Sequence, residues 1–210
     1  RILKKDFKRK KTMNVILFLF IILASTFVAS GVNNMITVVN GLDDYFAKAE
    51  VPDYWACLSN NAEMQKVESM LQENQYDFSC QELLRVDSAE VRINGQKMGY
   101  SDNVMISTCV QRPKVFNSGD EEMKTVKEGE IYLTGKFFNN SDYDVEIGDE
   151  LEITINGRTK TFTIAGSTKD ALFGSSVLGM DRFLISDSDY GYLRTEDAGV
   201  YHSICVYTED

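Results

Sequence analysis

Residues 13–32 read MNVILFLFIILASTFVASGV, and no charged side chain occurs between Lys11 and Asp43. A helix needs ~20 predominantly apolar residues to cross the hydrocarbon of a bilayer, and this stretch supplies them. The residues before it set its orientation. Residues 1–12 carry seven bases (Arg1, Lys4, Lys5, Lys8, Arg9, Lys10, Lys11) against one acid, Asp6, for a net charge of +6. By the positive-inside rule such a flank stays in the cytoplasm, and the chain beyond the span emerges on the other side of the cell membrane. A signal peptide shares this order of basic region and apolar core, with Val28-Ala29-Ser30 as its small-residue cleavage site. No cysteine closes the apolar run, which argues against a lipoprotein anchor.

The pattern continues past the span. Val28, Val32, Met35, Val39, Leu42 and Phe46 recur at alternating spacings of 4 and 3, while Asn33, Asn34, Thr37, Asn40 and Asp43 fall off that line. This is the a/d seam of a helix that pairs with another helix. A helix over 12–46 is roughly 50 Å long at ~1.5 Å per residue, so it outlasts a ~30 Å hydrocarbon core and forms a stalk. Gly41 works against the stalk, because glycine costs about 1 kcal/mol inside a helix. The competing reading is a juxtamembrane helix packed on its own domain. The expected divisions are a basic flank at 1–12, a transmembrane helix at 13–33, a stalk at 34–50 and an outer domain at 51–210. That domain divides further into subdomains at about 51–115 and 128–210.

Charge separates the two parts. The whole chain has a net charge of −10, so residues 13–210 carry −16. An acidic outer domain excludes nucleic acid as a partner, since phosphate binding needs clustered bases. With 43% apolar residues and two prolines the chain is globular rather than disordered.

Val51-Pro52 closes the helical region, because the residue before proline resists the α conformation. Strands are expected at 53–59, 79–86, 89–93, 104–110, 130–134, 151–155, 158–165, 182–186 and 203–207. Helices are expected at Asn60–Glu73, capped by Asn60 or Asn61 with Met64, Val67, Met70 and Leu71 on one face, and at Asp187–Leu193. Asn94-Gly95 and Asn156-Gly157 make two-residue hairpin turns that pair Val91 with Met98 and Leu151 with Phe162. Asn117–Glu130 reads as a loop or mobile flap. The class is α+β, strand-rich.

Chemistry-bearing patterns are sparse. His202 is the only histidine, and one imidazole cannot build a His-rich metal site. Gly174-Ser175-Ser176 lacks the nucleophile-elbow pattern, and no P-loop motif is present. The carboxylates Asp142, Asp144, Glu146, Asp149, Glu150 and Glu152 crowd one stretch, but without EF-hand order, so they read as a solvated face. Asp187 and Asp189 read as caps of the adjoining helix. Cys57, Cys80, Cys109 and Cys205 permit two disulfides in three connectivities, or serve as small strand hydrophobes. No cofactor and no catalytic residue is assigned.

Three stretches carry a family resemblance. Leu3–Asn40 is similar to the cytoplasmic approach and first span of FtsX-like permeases of ABC transporters. Glu128–Ala165, with GEIYLTG, the Gly148-Asp149 turn and the strand TKTFTIAG, resembles part of their MacB-like extracytoplasmic core domain. Asp181–Leu193 (DRFLISDSDYGYL) resembles the strand-to-helix segment near that domain's end. The resemblance implies a permease subunit with ATP hydrolysed on a separate ABC ATPase subunit and no enzyme activity in this chain. Its outer domain would couple stalk movement to substrate handling, in an exporter, peptide-resistance or mechanotransmission role. It also implies a second permease copy or a later stalk helix as the seam's partner, and later spans, so the sequence reads as a fragment. The alternative is a single-span sensor or receptor, and a secreted adhesin or inhibitor is a third class. Candidate substrate contacts lie at Asn117–Glu130 and at Leu172–Met180.

Overall fold

A computed structural model describes residues 11–87, 90–99, 103–139, 143–174 and 180–208. Most of the basic flank, Ala89 of one expected strand, Asp142 and the middle of Leu172–Met180 lie outside the described residues. The chain divides into two compact units, residues 1–47 and 48–210.

The first unit is built on α1, Lys11–Ala49, an uninterrupted helix of 39 residues. Gly31 and Gly41 do not break it. Its large apolar side chains are exposed along its length, and it is long and apolar enough to cross a membrane. The hydroxyls of Ser25, Thr26 and Thr37 donate to the carbonyls of Ile21, Ile22 and Asn33 at 2.7, 2.9 and 2.9 Å. These three hydroxyls thereby find their partners inside the helix, as apolar surroundings would require. The helix stops at Glu50, whose φ of 51° is left-handed, and Pro52 comes two residues later.

The second unit is a mixed α+β domain. After β1 (Tyr54–Leu58) comes α2 (Asn61–Glu73), then β2 (Asp77–Val86), β3 (Val91–Ile93), β4 (Gln96–Lys97), β5 (Asn103–Ser107) and β6 (Phe116–Asn117). The chain goes on through β7 (Glu130–Thr134), a 3-10 turn (Gly135–Phe138), β8 (Glu150–Ile155), β9 (Arg158–Lys169) and β10 (Met180–Leu184). It closes with α3 (Asp187–Leu193) and β11 (Val200–Tyr207). The strands form one sheet of order β1-β11-β2-β5-β10-β7-β9-β8-β3-β4, with β6 on β9. Pairs β5/β10 and β7/β9 are parallel and the remainder antiparallel. Strands from 51–115 and 128–210 interleave in this sheet, so the two expected subdomains are one unit.

Both Asn-Gly hairpins form as turn chemistry dictates. Asn94 and Asn156 have φ of 49° and 48°, and each following glycine has φ of 78°, the two left-handed positions of a type I′ turn. Leu151 faces Phe162, and the Met98 N–H donates to the Val91 carbonyl at 2.9 Å.

The main core gathers Leu84 of β2, Ile106 of β5, Leu133 of β7, Ile153 of β8, Ile164 of β9 and Phe183 of β10. Because β2 and β8 stand far apart in the strand order yet share this cluster, the sheet curls around it. A second cluster, on the other face of the β1–β11–β2 end, holds Leu83, Met105, Phe173 and Cys205. Asn60 caps α2 by accepting from the Ala62 N–H at 2.9 Å. Met64 and Leu71 of α2 pack with Ile204, while Met70 is 51% exposed. The expected face therefore loses Met70, which lies off the stripe traced by positions 64, 67 and 71.

Candidate functional site

The feature with the most specific geometry is the foot of α1. Residues 48–50 belong to the second unit and are held there by side-chain and backbone bonds. Lys48 Nζ donates to the Asp120 carbonyl at 3.0 Å and lies 4.4 Å from the centre of the Phe116 ring. Ala49 is fully buried, and its carbonyl accepts from the Lys114 N–H at 2.8 Å. Glu50 pairs with Lys114, whose ammonium the carboxylate holds above the ordinary lysine range. A cleft of about 530 Å³ opens beside this foot, lined by Glu50, Cys109, Gln111, Arg112, Lys114, Glu122 and Lys124. Burial pushes the Cys109 thiol up to about 11, so it stays protonated at neutral pH. On the cleft's flank Arg112 makes a bidentate pair with Asp77 at 2.8 and 2.6 Å and stacks 4.2 Å from the Tyr207 ring.

Deeper in the domain, three buried carboxylates each meet a cation. Asp170 accepts from Nε of Arg182 at 2.7 Å and forms an ion pair with its guanidinium, while Nη1 of Arg182 donates to Gln81 Oε1 at 2.8 Å. The other oxygen of Asp170 accepts from the Leu172 and Phe173 N–H groups at 3.0 and 3.1 Å, fixing the turn after β9. Gly174 completes that turn, because a Cβ there would lie 2.3 Å from the Asp170 carbonyl oxygen. Asp181 takes Lys136 at 2.5 Å and the Thr134 hydroxyl at 2.9 Å. Asp189 takes Lys160 at 2.8 Å, the Gly129 N–H at 2.8 Å and the Ser186 hydroxyl at 2.8 Å. Burial alone would raise Asp189, but Lys160 and these donors outweigh it and hold it below the ordinary carboxylate value. Each pair joins separate elements and leaves no net charge unbalanced in the core, the condition under which buried ions are tolerated.

The sequence candidates fare differently. Val28, Val32, Met35, Val39, Leu42 and Phe46 all lie on α1, share one narrow arc of its surface, and are exposed. Asn117–Glu130 is not a detached flap: Met123 and Val126 are buried in it and pack with Val115 and Leu184. Its last residues, Lys127–Glu130, line a second, open groove of about 670 Å³ with Tyr132 and the exposed Ile147. In Leu172–Met180, Leu172 and Phe173 belong to the second core cluster. His202 bonds Asn61 Oδ1 at 2.7 Å on the domain surface. Asp189 does sit at the head of α3, but Ser186 is the N-cap, accepting from the Asp189 N–H at 3.1 Å. The four cysteines are free thiols: Cys205 faces Trp55 and Ser79, Cys80 faces Ile204, and Cys57 faces Ser203. Among the described acidic residues of 142–152, Asp149 accepts from the Glu146 N–H at 2.8 Å and Glu152 pairs with Arg92 at 3.6 Å. Sequence reasoning missed the Arg182–Asp170 pair and the clamp on Lys48 and Glu50. An arginine inside the apolar run MDRFLI was the available signal for the first.

Neither a protein-family model nor any curated protein sequence gives a significant match to this chain.

Proposed function

We propose that this chain is part of an FtsX-like permease subunit of an ATP-driven ABC transporter, with a MacB-like core domain outside the cytoplasm. The observation that carries the reading is α1: one unbroken helix, apolar side chains outward, whose last residues are built into a strand-rich domain. Helices that span a membrane must satisfy their polar groups internally, and the hydroxyls of Ser25, Thr26 and Thr37 in α1 do so. In this reading the N-terminus is cytoplasmic and the single span visible here anchors the chain in a bacterial cell membrane. ATP is hydrolysed on a separate ABC ATPase subunit, and the chain itself catalyses nothing. The seam from Val28 to Phe46 pairs with a second permease copy or a later stalk helix, and the outer domain converts stalk movement into substrate handling. A stiff helix suits that task, because it carries a rigid-body shift without absorbing it.

The test uses the full-length protein co-expressed with its candidate ATPase. With the native cysteines replaced, spin labels at Val39→Cys report the distance between paired stalks with and without nucleotide. Co-purification and a nucleotide-dependent distance change are expected. A chain that recruits no ATPase, and responds to an extracellular ligand alone, is instead a single-span sensor.

A further inference from the structure

We infer that the loop Asn117–Glu121 is a clasp on the foot of α1 that sets how stiffly residues 48–50 are joined to β9. Only its purpose rests on the transmission reading above; the clasp itself rests on geometry. The loop is ordered by its own first residue. Asn117 Oδ1 accepts from the N–H groups of Gly119 and Glu121 at 2.9 and 3.1 Å, and Asn117 Nδ2 donates to Glu121 Oε2 at 3.0 Å. This brings Asp120, at φ of 63°, to the apex. Two lysines from different elements converge on it. Lys48 Nζ donates to its carbonyl at 3.0 Å, and Lys169 Nζ, at the end of β9, donates to its carboxylate at 2.6 Å. Phe116 completes the grip, its ring under Lys48 and its backbone paired with Lys169.

The location decides what such contacts can do. Asp120 and Lys169 are exposed, and exposed ion pairs contribute little to global stability. Their effect is local: a joint that opens and closes without unfolding the domain. Beyond the joint the chain is rigid, because Lys169 precedes Asp170, the buried partner of Arg182. A displacement at Lys48 therefore reaches β10 through Asp120, Lys169 and Asp170 in sequence.

Hydrogen exchange of the full chain in nanodiscs tests this. In Lys48→Met the amides of 48–51 should exchange roughly fivefold faster, the loss expected for one solvent-exposed hydrogen bond. Lys48→Arg should restore protection. Lys169→Met, on the far side of Asp120, should speed exchange at 116–121 and at 170–174, and the double variant should give less than the product of the two effects. Arg92→Gln, which breaks the exposed pair between Arg92 of β3 and Glu152 of β8, should leave 48–51 unchanged. Wild-type exchange in both lysine variants, or an equal rise across β2 and β11, overturns the clasp. Failure of the transporter reading looks different: no variant, and no wild-type complex, then shows a nucleotide-driven distance change, while the exchange pattern still decides the clasp.

Discussion

In α1 the phenylalanines of the apolar run face outward, whereas in the domain from Lys48 onward four phenylalanines face fully inward. Phe18, Phe20 and Phe27 are 63%, 65% and 71% exposed, while Phe137, Phe162, Phe173 and Phe183 are at most 1% exposed. In the proposed membrane reading, the same residue type serves two solvents. In the domain, burial of these four rings drives folding, and every charge taken inside needs a partner. In α1 burial is confined to Ala49 at its foot, and the hydroxyls of Ser25, Thr26 and Thr37 bond to the helix's own carbonyls, as a hydrocarbon environment would require.

The largest expected effect separates the two regions from the domain side. Arg182→Ala leaves Asp170 buried without its cation and should cost about 3–5 kcal/mol of domain stability in urea unfolding. The helicity of α1 in a membrane mimetic should not change. From the helix side, Phe20→Arg should disfavour insertion by about 2.5–3.5 kcal/mol and shift the chain out of the membrane fraction. The domain's unfolding midpoint should stay where it was, and a shared loss in both assays would break the comparison. Smaller again, Asn60→Ala removes the cap of α2 and should cost ~1 kcal/mol in the same unfolding assay.

The smallest effect is in pH. Asp189 is held below its ordinary value, so its contribution is present above that value and lost as pH falls through the folded one. Domain stability should therefore be flat from neutrality to about pH 5 and decline below about pH 4, with the decline shallower in Asp189→Asn.

How much of this was readable from sequence depends on where the information is stored. The charge-free run before Asp43 and the two Asn-Gly turns are local signals, and α1, β3/β4 and β8/β9 formed where those signals placed them. The α+β class and the helix at Asp187–Leu193 came from the same local logic. Strand ends were less legible. β10 lies two residues earlier than expected because Ser186 is needed, extended, as the cap of α3. β9 runs on to Lys169 because it gains partners from distant, earlier parts of the chain, β7 along one side and β6 at its end. The clamp at Lys48 and Glu50 was invisible for the same reason: Lys114, Asp120 and Lys169 reach it only through tertiary folding.

The claim that two solvents shape this chain can be measured directly. With the four native cysteines replaced, Met70→Cys places a single thiol on the exposed side of α2, 51% exposed in the native residue. A membrane-impermeant maleimide added to intact cells should label it fully, since the account puts the domain outside the cytoplasm and α1 across the membrane. Labelling that appears only after the cells are permeabilised would contradict it.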